Sequence, residues 1–179
     1  ALCLASLLSS VSAFAVSNKV NFLSATMFDN EITNQYPTSV VCEGSLTARI
    51  VEDGKWNKAF YVDTAYVSSD ISIPFTQTIS EERYVISFAA KFKGEKSAGS
   101  ISVINNGKAV NILNIDSDGT LRTKDKKVAG NIGKDRYSNI ALIIDNDYGF
   151  YSVSVNGRIM VDSWQLPTEL NKVSGMTIS

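Results

Sequence analysis

The sequence predicts an all-β protein built as an antiparallel β-sandwich, and three observations carry that prediction. From about Tyr61 onward, apolar residues recur at every second position, the period of a strand with one face buried. Turn-forming clusters, among them Asn105-Asn106-Gly107, Asp116-Ser117-Asp118-Gly119 and Asn156-Gly157, divide that pattern at intervals of roughly 8–12 residues. No stretch longer than about two turns joins helical periodicity to end caps, and the best candidate is a single turn over residues 168–172 after Pro167. With 179 residues, 44% of them hydrophobic and 20% charged, the chain has the composition of one globular domain. It shows no internal repeat, low-complexity tract or linker.

Residues 1–15 stand apart. They carry no charge, are built mainly from Ala, Leu, Val and Ser, and end Ala13-Phe14-Ala15, the small-x-small pattern of a signal-peptidase site. The apolar run is too short to span a bilayer. It reads as a secretory signal, lacking its basic start, cleaved after Ala15; the alternative is a first hydrophobic helix of the domain. On the signal reading residues 16–179 form the mature domain, with no membrane insertion once the signal is gone. Cys3 leaves with the signal and Cys42 remains, a lone cysteine on an apolar approach (Val40-Val41) that reads as buried.

The mature chain begins irregularly, although residues 44–51 alternate and turn at Glu52-Asp53-Gly54. Over residues 84–92, Tyr84, Ile86, Phe88, Ala90 and Phe92 share one face and Val85, Ser87, Ala89 and Lys91 the other, which predicts a half-buried strand. Ile101 and Val103 mark a strand that turns at Asn106-Gly107, residues 109–115 return, and the Asp-Gly turn leads to another strand over 120–123. Ile140, Leu142 and Ile144 line one face of residues 137–145, and Tyr151, Val153 and Val155 line one face of 150–155. These two faces are expected to pack side by side in the core while Ser152 and Ser154 look outward. After Asn156-Gly157, Ile159 and Val161 alternate with Arg158, Met160 and Asp162. Residues 175–179 read as the opening of a further strand.

This order of features resembles the concanavalin A-like lectin/glucanase and laminin-G-like jelly-roll superfamily. The likeness rests on the alternating strand over 84–92, the Asp116-Ser117-Asp118-Gly119 hairpin, and the strand and turn Tyr151-Ser152-Val153-Ser154-Val155-Asn156-Gly157 that follows the apolar strand 140–145. It covers roughly residues 58–179, and because members of the superfamily finish with one or two further strands, it implies that the sandwich is truncated at its C-terminal side, with an unpaired sheet edge there. It implies a jelly roll and a connection with carbohydrate, in a group that includes lectins, adhesion modules and glycosidases; fold does not choose among them.

Composition and spacing narrow the choice. The chain contains no histidine, which excludes a Ser-His-Asp triad, a Cys-His dyad, the common imidazole zinc sites and a histidine pH switch. A net charge of -1 with no block of Lys or Arg gives no footprint for nucleic acid. A retaining glycosidase needs two carboxylates about 5–5.5 Å apart, the signature of acidic residues at even spacing within one strand. Glu81 and Glu82 are adjacent and precede their strand, while Asp116/Asp118 and Asp145/Asp147 straddle turns where capping of the backbone explains them. The Asp-Ser-Asp-Gly run lacks the remainder of a calcium loop, so no cofactor is indicated and structural calcium stays open.

The expected function is therefore non-catalytic carbohydrate binding or adhesion, as a module of a secreted or cell-surface protein with a polysaccharide or glycan as partner. The alternatives are part of a glycoside hydrolase or polysaccharide lyase whose catalytic residues lie outside this chain, and a purely structural β-sandwich module. The candidate sugar-binding residues are Trp56, beside a turn, and Ser87, Lys91, Asn139, Ser152 and Ser154 on the outward strand faces, where small and polar side chains would leave a shallow floor. Trp164 is expected to pack beneath the loop to Pro167 rather than to be displayed.

Overall fold

A computed structural model describes residues 2–11, 21–27, 30–43, 48–54, 58–62, 70–92 and 97–179, with side chains from residue 30 onward. The strands are β1 (Leu2–Val11), β2 (Asn21–Met27), β3 (Val41–Glu43), β4 (Ala48–Glu52), β5 (Lys58–Val62), β6 (Asp70–Ile79), β7 (Arg83–Phe92) and β8 (Gly99–Asn105). They continue with β9 (Lys108–Ile115), β10 (Thr120–Arg122), β11 (Val128–Asn131), β12 (Ser138–Asp145), β13 (Phe150–Val155), β14 (Arg158–Gln165) and β15 (Val173–Ile178). They form two antiparallel sheets that pack as a sandwich, and the described residues contain no helix, residues 168–172 included.

The first sheet runs β14-β13-β12-β7-β1-β5-β4, with β2 also paired to β1; the second runs β11-β10-β9-β8-β15-β6-β3. Period-two patterning decides which side chains meet between them. Tyr84, Ile86, Phe88, Ala90 and Phe92 of β7 join Ile140, Leu142 and Ile144 of β12 in one buried cluster with Ile71, Ile73, Ile101, Val103, Leu113, Met176 and Ile178 of the facing sheet. The expected neighbours are in register: Ile140 opposite Val155, Leu142 opposite Val153 and Ile144 opposite Tyr151. Asn156 (φ 52) and Gly157 (φ 78) supply the two left-handed residues that this β12–β13–β14 meander needs at its second turn.

The structure departs from the sequence pattern at several places. Of the first segment, the described Leu2–Val11 is not a hydrophobic helix but strand β1, which pairs with β7, β5 and β2. The strand at the C-terminal side is not an edge, because β15 lies between β8 and β6 and bonds to both. Bulges break two alternations. In β14, Val161 lies opposite Val153 but Ile159 lies opposite Ser154, so Met160 is the extra residue. Ile159 thereby leaves the face it would share with Val161 and is 56% exposed. In β9, Leu113 pairs with Ile101 and Asn111 with Ser102, which leaves Ile112 unpaired and lets Ile112 and Leu113 both be buried. Cys42 is half-buried on edge strand β3 and packs against the margin of the core.

Candidate functional site

The outer face of the first sheet is laid out by register. Across β7, β12 and β13 the outward rows are Ser87–Ala141–Ser154, Val85–Ile143–Ser152 and Arg83–Asp145–Phe150, with Ala89–Asn139 beyond the first of these. The seven residues from Ala89 to Arg83 span about 20 Å of strand. Small side chains in the first row leave a hollow of about 280 Å³ lined by Ser87, Ala89, Asn139, Ala141, Ser154 and Gly157. Of the outward-face candidates, the structure thus brings Ser87, Asn139 and Ser154 together. Among the described residues, neither the Asn139 carboxamide nor the Ser154 hydroxyl has a protein hydrogen-bond partner. Both are free to bind an incoming hydroxyl.

Further along the same face, a second hollow of about 190 Å³ is lined by Ile143, Asp145, Tyr148, Phe150, Ser152 and Ser163. Two aromatic rings stand at it in solvent, Tyr148 at 69% exposure and Phe150 at 40%. Neither is among the candidates the sequence singles out, although alternation sets Phe150 outward with Ser152 and Ser154. Tyr148 sits in a turn, where a Tyr is indistinguishable from solvated filler, and Phe150 opens a strand whose buried face is the other one. Arg83 fixes this end: its guanidinium lies 3.1 Å from the carboxylates of both Asp145 and Asp147 and 5.3 Å from the centre of the Tyr148 ring. Asp145 also accepts the Tyr148 N–H at 3.1 Å, and Asp118 accepts the Thr120 N–H at 2.8 Å, so both carboxylates cap their turns. Asp116 pairs with Arg122. No group of three or more His, Cys, Asp or Glu side chains among the described residues could hold a metal ion.

The remaining candidates are placed differently. Lys91 is only 9% exposed, its ammonium 2.6 Å from the Asp53 carboxylate and 4.6 Å from the centre of the Tyr137 ring. Tyr137 in turn donates its hydroxyl to Asp53. A lysine on the outward strand face is therefore covered by a long-range partner, and its work is to hold the β4–β5 corner against β7. Ser152 is engaged as well: its hydroxyl donates to Asp162 at 3.0 Å and accepts the Ser163 N–H at 3.0 Å, fixing a second irregularity of β14 where Ser163 has φ 50. Trp56, Ala13 and Ala15 lie outside the described residues. Trp164 is half-buried beside the core and donates its indole N–H to Asp125 at 3.2 Å.

No family model matches the sequence, and no curated protein matches it either. Among solved structures, the chain is similar to domain 4 of AbnA, a GH43 extracellular arabinanase from Geobacillus stearothermophilus, in complex with arabinotriose. The TM-score is 0.48 at 14% identity, over 98% of this chain and 91% of that one. No helix among the described residues is long and apolar enough to cross a membrane.

Proposed function

We propose that this protein is a non-catalytic glycan-binding module, and that the outer face of its first sheet is the binding surface. The observation that carries the reading is a trough formed by two shallow hollows that follow one another along the same outward sheet face. It has unpartnered amide and hydroxyl groups (Asn139, Ser154) at one end and exposed rings (Tyr148, Phe150) at the other. An apolar platform beside a few placed polar groups suits a sugar, whose C–H face stacks on a ring while its hydroxyls exchange hydrogen bonds. Among the described residues no Lys or Arg lines either hollow, and Arg83 at the far end is paired with Asp145 and Asp147, which favours a neutral chain lying along the strands. The finer fold reading, a concanavalin A-like jelly roll, draws support from the Tyr151-Ser152-Val153-Ser154-Val155-Asn156-Gly157 strand and turn that edge this trough.

The test is a panel of neutral oligosaccharides followed by calorimetric titration of the best binder. Phe150→Ala and Tyr148→Ala are expected to weaken binding about tenfold or more, equivalent to about 1.4 kcal/mol, with thermal unfolding unchanged. Absence of binding across the panel, or affinity indifferent to both changes, overturns the proposal.

We also propose export, with residues 1–15 as the leader. Cleavage after Ala15 would remove β1 from between β7 and β5. Mass spectrometry of the exported chain is expected to show Val16 as its first residue. A chain that keeps residues 1–15 would instead assign Leu2–Val11 permanently to the sheet.

A further inference from the structure

A second cavity, separate from the trough, lies where the edges of the two sheets meet. Its volume is about 280 Å³, and Asn111 and Ile112 of β9, Lys124 and Asp125 of the β10–β11 turn, Tyr151 of β13, and Trp164, Gln165, Leu166 and Pro167 at the end of β14 line it. Three features of the fold create it. The β9 bulge at Ile112 shifts Asn111 relative to the next strand. The left-handed Ser163 (φ 50) re-aims β14 just before Trp164. Trp164 then reaches the other sheet, its indole N–H bonded to Asp125 and the Lys127 ammonium 4.9 Å from its ring centre.

Unlike the two hollows of the trough, this cavity has a lysine in its lining. In the cavity and on its tryptophan stand Lys124 and Lys127, with Lys126 in the same turn, and none of the three has a carboxylate ion-pair partner among the described residues. Asp125 is the carboxylate in the lining. One of its oxygens takes the indole N–H and the other remains an acceptor for a hydroxyl. Asn111 and Gln165 add two carboxamides, and Ile112, Leu166 and Pro167 add apolar surface. A cavity this small, below the range usual for drug-sized ligands, admits one or two sugar units. We infer that this edge cavity binds a negatively charged saccharide end-on, its acidic group on Lys124 and Lys127 and its hydroxyls on Asp125, Asn111 and Gln165. This assignment does not rest on glycan binding by the trough.

The experiment is calorimetric titration of the whole chain with an oligogalacturonate, a sulfated oligosaccharide, a neutral oligosaccharide of equal length, and inorganic sulfate and acetate alone. An acidic oligosaccharide is expected to bind, with affinity falling as salt rises. Lys124→Glu, a change at an exposed side chain, is expected to weaken that binding about tenfold or more and Gln165→Ala to weaken it severalfold, while Phe150→Ala leaves it intact. The uronate and sulfate arms identify which acidic group is preferred. Three outcomes overturn the inference: no acidic oligosaccharide binds, Lys124→Glu leaves its affinity unchanged, or, in the Phe150→Ala chain, the neutral oligosaccharide or the free ions bind as tightly as the acidic one. If instead only Phe150→Ala abolishes acidic-sugar binding, the trough holds the ligand and the edge cavity does not.

Discussion

At the scale of single residues, neighbours on β13 do different work according to which way they point. Val153 is 0% exposed in the centre of the core. Val153→Asp places an uncompensated carboxylate there and is expected to cost several kcal/mol, a large share of an ordinary stability of about 5–15 kcal/mol. Ser152→Ala removes a hydroxyl that bridges Asp162 and the Ser163 N–H, and is expected to cost about 1 kcal/mol. Denaturant unfolding of both variants checks this; equal loss would mean that both faces of the strand are buried. The inward and outward assignments were legible in the sequence because alternation is local. The engagement of Ser152 was not, since it depends on an irregularity ten residues away in β14. Lys91 is a similar case: nothing around it in the sequence announces Asp53 or Tyr137.

At the scale of elements, a strand was legible wherever a tight turn and an alternating run lay side by side. The β12–β13–β14 meander meets that condition at Asn146-Asp147-Tyr148-Gly149 and Asn156-Gly157. Strand β11 did not, because Val128, Ala129, Gly130 and Asn131 hold too few apolar residues to show a period. Its position is fixed by packing instead: Gly130 (φ 127) lies so close to β13 that a Cβ there would stand 2.5 Å from the Val155 side chain. The central place of β15 was equally hidden. Its partners begin at Asp70 and Gly99, far back along the chain, and strand order is a property of the whole sheet rather than of any local run. The trough was half legible for the same reason. Ser87, Asn139 and Ser154 follow from alternation, whereas Tyr148 and Phe150 become neighbours of that floor only once three strands are in register.

For the whole molecule, two core tyrosines link stability to pH. Tyr84 is buried and donates to the Leu170 carbonyl at 2.9 Å, and burial raises its pKa well above the ordinary tyrosine value. Tyr151 is pushed up to about 12, first by burial and then by the charge of Asp125. In the unfolded chain both ionise near 10. Their contribution to stability is thus complete below about pH 10 and is lost as pH rises from there through the folded-state values, because the unfolded state releases its protons first. Urea midpoints are expected to hold steady up to about pH 10 and to fall by pH 12, with the share of tyrosinate absorbance that belongs to Tyr84 and Tyr151 appearing only on unfolding. Tyr151→Phe should flatten part of that decline; an unchanged slope would show that Tyr151 is not among the groups responsible.

The pairing of β1 has a consequence for timing. A leader is read by export machinery only while it is extended and accessible, and closure of the sandwich takes Leu2–Val11 into hydrogen bonds on both sides. Those bonds join parts of the sheet far apart along the chain: Leu2 meets Val62 on one side and Phe92 on the other. Contacts across such sequence separations are slow to form, since chain closure must precede any gain from pairing. If residues 1–15 are the leader proposed above, the newly made chain would hold it open for as long as its sheet is incomplete. Folding rate, rather than stability, would then select its destination, and a substitution that speeds sandwich closure would retain protein inside the cell without touching the leader.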